Sequence, residues 1–113
     1  MINQSGNDFK KICSINDLPN GRGKRFIVDD TEVAVFRTDD NLHALHNTCP
    51  HQHFNLIFDG ILEDGCVICP IHGWRFNLQT GKNPDGGRGL ETFPVKIIDE
   101  NVYIKVSQTK RLW

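Results

Sequence analysis

Two short segments, Cys49-Pro50-His51 and Cys69-Pro70-Ile71-His72, each set one thiol beside one imidazole, and seventeen residues separate them. Two sulfurs and two ring nitrogens can make a tetrahedral zinc site. They can equally be the protein ligands of a two-iron, two-sulfide cluster with two Cys on one iron and two His on the other. The mixed pairing favours the cluster. Zinc fingers usually group Cys with Cys and His with His, whereas two loops that each offer one thiolate and one imidazole satisfy the cluster directly. A second zinc arrangement would recruit Cys66, since Cys66-Val67-Ile68-Cys69 is a CxxC. Residues three apart on a strand point to opposite faces, so Cys66 and Cys69 are not expected to share a metal. A thioredoxin-like use of that CxxC would need a helix start in a βαβ setting, which is not seen here. The first segment also carries His53, so on spacing alone both His51 and His53 are open as its ligand.

The elements that position these residues read as short strands. Phe9 to Ser14 is a first strand, ended by the turn residues Asn16-Asp17 and Pro19-Asn20-Gly21. Lys24 to Val28 and Glu32 to Arg37 flank Asp29-Asp30, a hairpin signal. After a turn at Asp39-Asp40-Asn41, Leu42 to His46 alternates, with Leu42, Ala44 and His46 on one face and His43 with Leu45 on the other. The alternation leaves open which face is buried. Residues from about 47 to 78 break this rhythm and form an inserted ligand-bearing lobe, with strands expected over residues 66–69 and 74–76. Residues 80–89 are too rich in Gly and Pro for regular structure. Thr92 to Ile98 and Val102 to Val106 form a closing hairpin across Asp99-Glu100-Asn101, and no helical period is sustained anywhere. The expected class is all-β.

A chain of 113 residues is one domain by length, here residues 1–113. A core of that size gains from a cofactor that ties two loops together. The net charge of −1 gives no electrostatic case for nucleic acid or an anionic membrane. The apolar runs are too short for a transmembrane helix. Residues 1–8 have neither a basic start nor an apolar stretch of signal-peptide type, and read as a short disordered lead. Four cysteines without a secretory signal point to reduced thiols and a cytoplasmic location. Cys13 and Cys66 are expected to be small buried apolar side chains. His43 and His46, outside the loops, are expected not to be ligands. No G-x-S-x-G, phosphate loop or carboxylate pair accompanies the candidate metal site, so no catalytic site of its own is expected.

Ala34-Val35-Phe36-Arg37-Thr38, Cys49-Pro50-His51, Cys69-Pro70-Ile71-His72-Gly73-Trp74, Thr80-Gly81 and Pro94-Val95-Lys96 carry a family resemblance. Residues 33–106 resemble the Rieske ferredoxins of ring-hydroxylating oxygenases, and still more the small subunit of assimilatory nitrite reductase. The resemblance implies a stack of small antiparallel sheets, the Rieske iron–sulfur fold, with one 2Fe-2S cluster at one tip. It implies Cys49, His51, Cys69 and His72 as ligands, and single-electron transfer as the function. The implied partners are a flavin reductase and a terminal oxygenase, or the large subunit of an NAD(P)H nitrite reductase. A structural zinc module that mediates assembly only is the alternative reading. His53 falls where such relatives usually carry Gly, and the stretch from Leu56 to Gly60 is slightly longer than in the nitrite reductase type. The high-potential Rieske proteins of cytochrome bc complexes join their two loops by a disulfide, and a Ser and a Tyr donate hydrogen bonds to sulfur. The matching positions here are Phe54 with Ile71, Trp74 and Phe76, so the cross-link and both hydroxyls are missing.

Purified protein is expected to be red-brown, with two irons and two acid-labile sulfides per chain. Zinc bound one-to-one, without labile sulfide, overturns this reading. Ala at Cys49, His51, Cys69 or His72 should abolish the cluster. Ser at Cys13 or Cys66 should retain it at a cost of about 1–3 kcal/mol wherever the new hydroxyl is buried.

Overall fold

A computed structural model describes residues 9–39, 41–50, 54–71 and 73–106. The strands are β1 Lys10–Ser14, β2 Gly23–Val28, β3 Thr31–Thr38, β4 Asn41–His46 and β5 Ile61–Glu63. They continue as β6 Cys66–Ile68, β7 Arg75–Asn77, β8 Thr92–Phe93, β9 Val95–Ile98 and β10 Asn101–Ile104. Two 3-10 turns, Ile15–Asp17 and Ile57–Asp59, are the remaining regular structure, and the described residues contain no α-helix. The all-β expectation holds. All strand pairs are antiparallel and fall in three sheets, ordered β1-β10-β9, β2-β3-β4-β8 and β5-β6-β7.

The middle sheet is covered on both faces. Val33, Ala34, Val35 and Phe36 run consecutively along β3, all fully buried. Because side chains alternate across a strand, Ala34 and Phe36 point one way, together with Leu45 from β4, into a cluster with Ile57, Val67, Phe76, Leu78 and Leu90. Val33 and Val35 point the other way, with Ala44, against Leu18, Phe93, Val102 and Ile104. The open question about β4 is thereby answered: it buries Ala44 on one face and Leu45 on the other.

Tight two-residue turns set the registers. Asp29 and Asp30 have φ of 50° and 66°, and Asp99 and Glu100 have φ of 51° and 69°. Positive φ at both central positions is the type I′ signature, whose twist suits a hairpin. A third such turn, Asp64 (φ 52°) and Gly65 (φ 78°), joins β5 to β6. The run from Thr92 to Ile98 departs from the single strand expected of it. It breaks at Pro94, so that β8 pairs with β4 while β9 pairs with β10 in another sheet. Proline has no N–H to give a ladder, and the chain changes sheets there. The strands expected over residues 66–69 and 74–76 appear as β6 and β7, whereas β5 was not expected.

Two glycines make contrasting tests of the backbone. Gly81 has φ +76°, and a Cβ there would collide with the Leu90 carbonyl. Gly65 has φ +78° but open space around it. In urea denaturation, Gly65→Ala should cost about 1–2 kcal/mol from the left-handed backbone alone. Gly81→Ala should cost about 3 kcal/mol or more, because overpacking adds to the same strain.

Candidate metal centre

The lobe formed by β5-β6-β7 and the two ligand loops lies against the Phe36 face of the middle sheet. Cys49 and Cys69 are 2% and 1% exposed and belong to the same buried cluster, with Ile57, Val67, Phe76 and Leu78 around them. They reach it from different elements. Cys49 follows β4, and Cys69 follows β6 just before the chain returns along β7.

The two loops close in the same way. The Cys49 N–H donates to the Phe54 carbonyl at 2.9 Å, and the Cys69 N–H donates to the Trp74 carbonyl at 2.7 Å. Each ring therefore spans from a cysteine to the fifth residue beyond it. The second loop is tightened further by Gly73 N–H to the Cys69 carbonyl at 3.0 Å. Gly73 has φ +74°, and no described atom lies near the place a Cβ would take, so backbone conformation, and not clearance, calls for glycine. His51, Gln52, His53 and His72 lie outside the described residues, so the candidate site rests here on two placed sulfurs.

The sequence expectations for the remaining ligand-type residues can be placed. All four cysteines are described, and none is in a disulfide. Cys66 is buried, but Val67 and Cys69 share the lobe core while Cys66 stands outside it, on the other face of β6. That geometry disfavours a shared Cys66–Cys69 metal. Cys13 is half-buried against the opposite core, and burial together with Asp17 pushes its thiol pKa up, which keeps it protonated. His43 and His46 stand on β4, and burial pushes both below the usual imidazole range. The His46 Nδ1 accepts the Thr48 N–H at 3.2 Å, a role open only to an unprotonated nitrogen.

Sequence reasoning missed Asn47, which is 0% exposed. Its Nδ2 donates to Glu32 Oε1 at 2.9 Å and to the Asn55 carbonyl at 3.0 Å, and its Oδ1 accepts the Phe58 N–H at 2.8 Å. Beside it, Thr48 Oγ1 donates to Asn55 Oδ1 at 2.6 Å. Glu32 is also gripped by Arg25, and this hydrogen bond holds its carboxyl below the usual range. The available signal was a short amide placed between an apolar strand and a ligand loop.

A profile of the Rieske-like 2Fe-2S domain matches residues 8–105. The chain belongs to that family. The ferredoxin component of the alkene monooxygenase system of Xanthobacter autotrophicus is 32% identical over 99 residues, covering 86% of this chain and 80% of the relative. Among solved structures, a nitrite reductase small subunit from Mycobacterium tuberculosis, described as NADH-dependent, superposes with a TM-score of 0.81. It is 27% identical, covering 86% of this chain and 93% of its own. A complex of reduced oxygenase and oxidized ferredoxin in carbazole 1,9a-dioxygenase contains a chain 31% identical to this one. That match has a TM-score of 0.73 and covers 83% of this chain and 98% of the other. The cofactor of the family is a 2Fe-2S cluster, and two buried thiols outside any disulfide, delivered by two separate loops, suit it. None of these matches favours the zinc module.

The surroundings of the thiols bear on the potential. Phe76 is fully buried, its ring 6.4 Å from that of the half-buried Trp74, and neither brings a hydroxyl. Hydroxyl hydrogen bonds to sulfur stabilise the more negative reduced state, so a chain without these two hydroxyls should have a lower potential than one that carries them. The midpoint should fall in the lower part of the Rieske range, which runs from roughly −150 to +300 mV. Phe76→Tyr should raise it. A native midpoint above about +200 mV in protein-film voltammetry contradicts this account.

Proposed function

We propose that this chain is a single-electron carrier whose cluster is held by Cys49 and Cys69 on one iron and His51 and His72 on the other. The cluster supplies one chemical capacity, the gain and loss of one electron. The observation that carries the reading is the pair of buried thiols presented by loops with matching closure. Everything else in the lobe serves that pair. Ile57, Val67, Phe76 and Leu78 keep water from the sulfurs, and Trp74 covers the flank. Residues 1–113 form one domain in this reading, with the cluster lobe at about 47–78.

The partner is a multicomponent oxidoreductase. A flavin reductase as donor and a terminal oxygenase as acceptor come first, because several relatives above 30% identity that match over most of their own length are ferredoxin components of oxygenase systems. The large subunit of a nitrite reductase is the second reading, supported by the fit to a nitrite reductase small subunit. No helix among the described residues is long and apolar enough to cross a membrane. A cytoplasmic site of action follows from the reading as a carrier with reduced thiols. The net charge of −1 offers nothing to nucleic acid.

Docking belongs at the loop tips. Phe54, three residues after His51, and Ile71, just before His72, are 47% and 37% exposed. Large apolar side chains in the open at two adjoining loops suit a partner contact. With Gln52, His53 and Trp74 they make up the proposed surface around His51 and His72.

Phe54→Ser and His53→Ala should each keep the visible and EPR spectra of the cluster. Each should slow stopped-flow electron transfer to the partner about tenfold, the effect of losing one interface anchor. Unchanged rates in both variants exclude this docking surface. Cluster loss in His53→Ala together with retention in His51→Ala shows that His53 is the ligand.

A further inference from the structure

Asn47 is the one fully buried polar side chain among the described residues, and all its polar atoms are engaged. Its main-chain N–H donates to the Glu32 carbonyl at 3.0 Å, and its carbonyl accepts the Ile57 N–H at 3.3 Å. Its amide nitrogen serves Glu32 on β3 and the Asn55 carbonyl on the far side of the first ligand loop. Its amide oxygen serves Phe58 in the 3-10 turn that follows. Both nitrogen contacts are acceptors and the oxygen contact is a donor, so only one orientation of the amide satisfies them. The residue stands two positions before Cys49 and touches both the incoming and outgoing stems of the loop that bears it.

We infer that Asn47 is a positioning residue for Cys49, clamping the two stems of the first ligand loop to β3 and thereby fixing where the thiolate is held. The inference rests on the reading of Cys49 as a cluster ligand. The Cys49–Phe54 backbone bond and the Thr48–Asn55 side-chain bond close the loop internally. That closure orients the loop's ends toward each other but not toward Cys69, which comes from another sheet. Beside the main-chain bond from Asn47 to Glu32, the Asn47 side chain with its Glu32 anchor is what ties both stems to β3. Glu32 is in turn aligned by Arg25 through paired hydrogen bonds on the surface of β2 and β3. An Asp at position 47 keeps the shape but loses both donors and sets a carboxylate against Glu32.

The test uses the purified holoprotein and the variants Asn47→Ala, Asn47→Asp, Glu32→Ala, Glu32→Gln and Arg25→Ala. Three quantities are read beside wild type: iron with labile sulfide, the EPR g values of the dithionite-reduced protein, and the rate of cluster bleaching by an iron chelator. Asn47→Ala and Asn47→Asp should shift the g values and speed bleaching about 10- to 100-fold, the usual effect of removing a group that orients a metal ligand. Glu32→Ala should move both readouts in the same direction by less. Glu32→Gln, which keeps an acceptor for Asn47, should restore them, and Arg25→Ala, which leaves Glu32 in place but unaligned, should fall between Glu32→Ala and wild type. Wild-type g values and bleaching in both Asn47 variants, even with lower stability in urea, overturn the inference and leave Asn47 a scaffold residue. Should the Asn47 variants fail to fold, Glu32→Ala decides alone, since the Glu32 side chain is itself 17% exposed and its loss is more readily accommodated. A Glu32→Ala protein with unchanged g values and bleaching overturns the inference too. Wild-type protein without labile sulfide overturns the ligand reading itself, an outcome visible before any variant is compared.

Discussion

A strand that is apolar on both faces has to be covered twice, and β3 imposes that condition on this molecule. Val33-Ala34-Val35-Phe36 is the sort of continuous run found in strands with no solvent side. One cover is the sheet β1-β10-β9, which brings Val102 and Ile104 to Val33 and Val35. The other is the cluster lobe, which brings Ile57, Val67 and Phe76 to Ala34 and Phe36. The lobe is thus the second wall of the core, and Cys49 and Cys69 sit in that wall. A metal held by Cys49 and Cys69 would therefore act on contacts that stabilise the whole fold, linking its affinity to folding.

Burial of the thiols creates a difficulty at the backbone. Loops carry peptide groups without ladder partners, and a buried unpaired N–H or carbonyl costs about 1–3 kcal/mol. Both loops answer it internally, each cysteine N–H finding the carbonyl of the fifth residue beyond it. The stem of the first loop is answered by a side chain, Asn47, and the stem of the second by the β6–β7 ladder, with Ile68 opposite Arg75. This asymmetry has a structural cause. The second loop is the end of a hairpin and inherits its register, whereas the first runs from β4 into a 3-10 turn with no partner strand to hold it.

The local chemistry of turns made much of the fold legible. Asp29-Asp30 and Asp99-Glu100 stand between apolar runs and form hairpins where their composition suggests. The β5–β6 hairpin escaped notice although Asp64-Gly65 is a strong hairpin dipeptide, because its strands are three residues long and show no alternation to recognise. Thr92 to Ile98 read as one strand although Pro94 inside it has no N–H to give a ladder. That Pro94 marks a change of sheet depends on β10 being available to pair with β9, which is tertiary information.

The site was legible to the extent that its chemistry is local. Cysteine and histidine are scarce, their pairing within three or four residues is a property of the chain alone, and the mixed pairing favours a cluster over zinc while leaving His51 and His53 both open on spacing. Asn47 illustrates the opposite case. Asparagine beside a loop ordinarily signals a turn, in which its side chain bonds to its own near backbone. Here the same amide is satisfied by Glu32, fifteen residues earlier, and by Asn55 and Phe58, eight and eleven residues later. No short window of sequence contains that set, because β3 and the 3-10 turn become neighbours only when the turn packs against the middle sheet. Two residues before Cys49, the decisive constraint is therefore topological: candidate ligands can be named from the chain, while the contacts around Cys49 are known only from the fold.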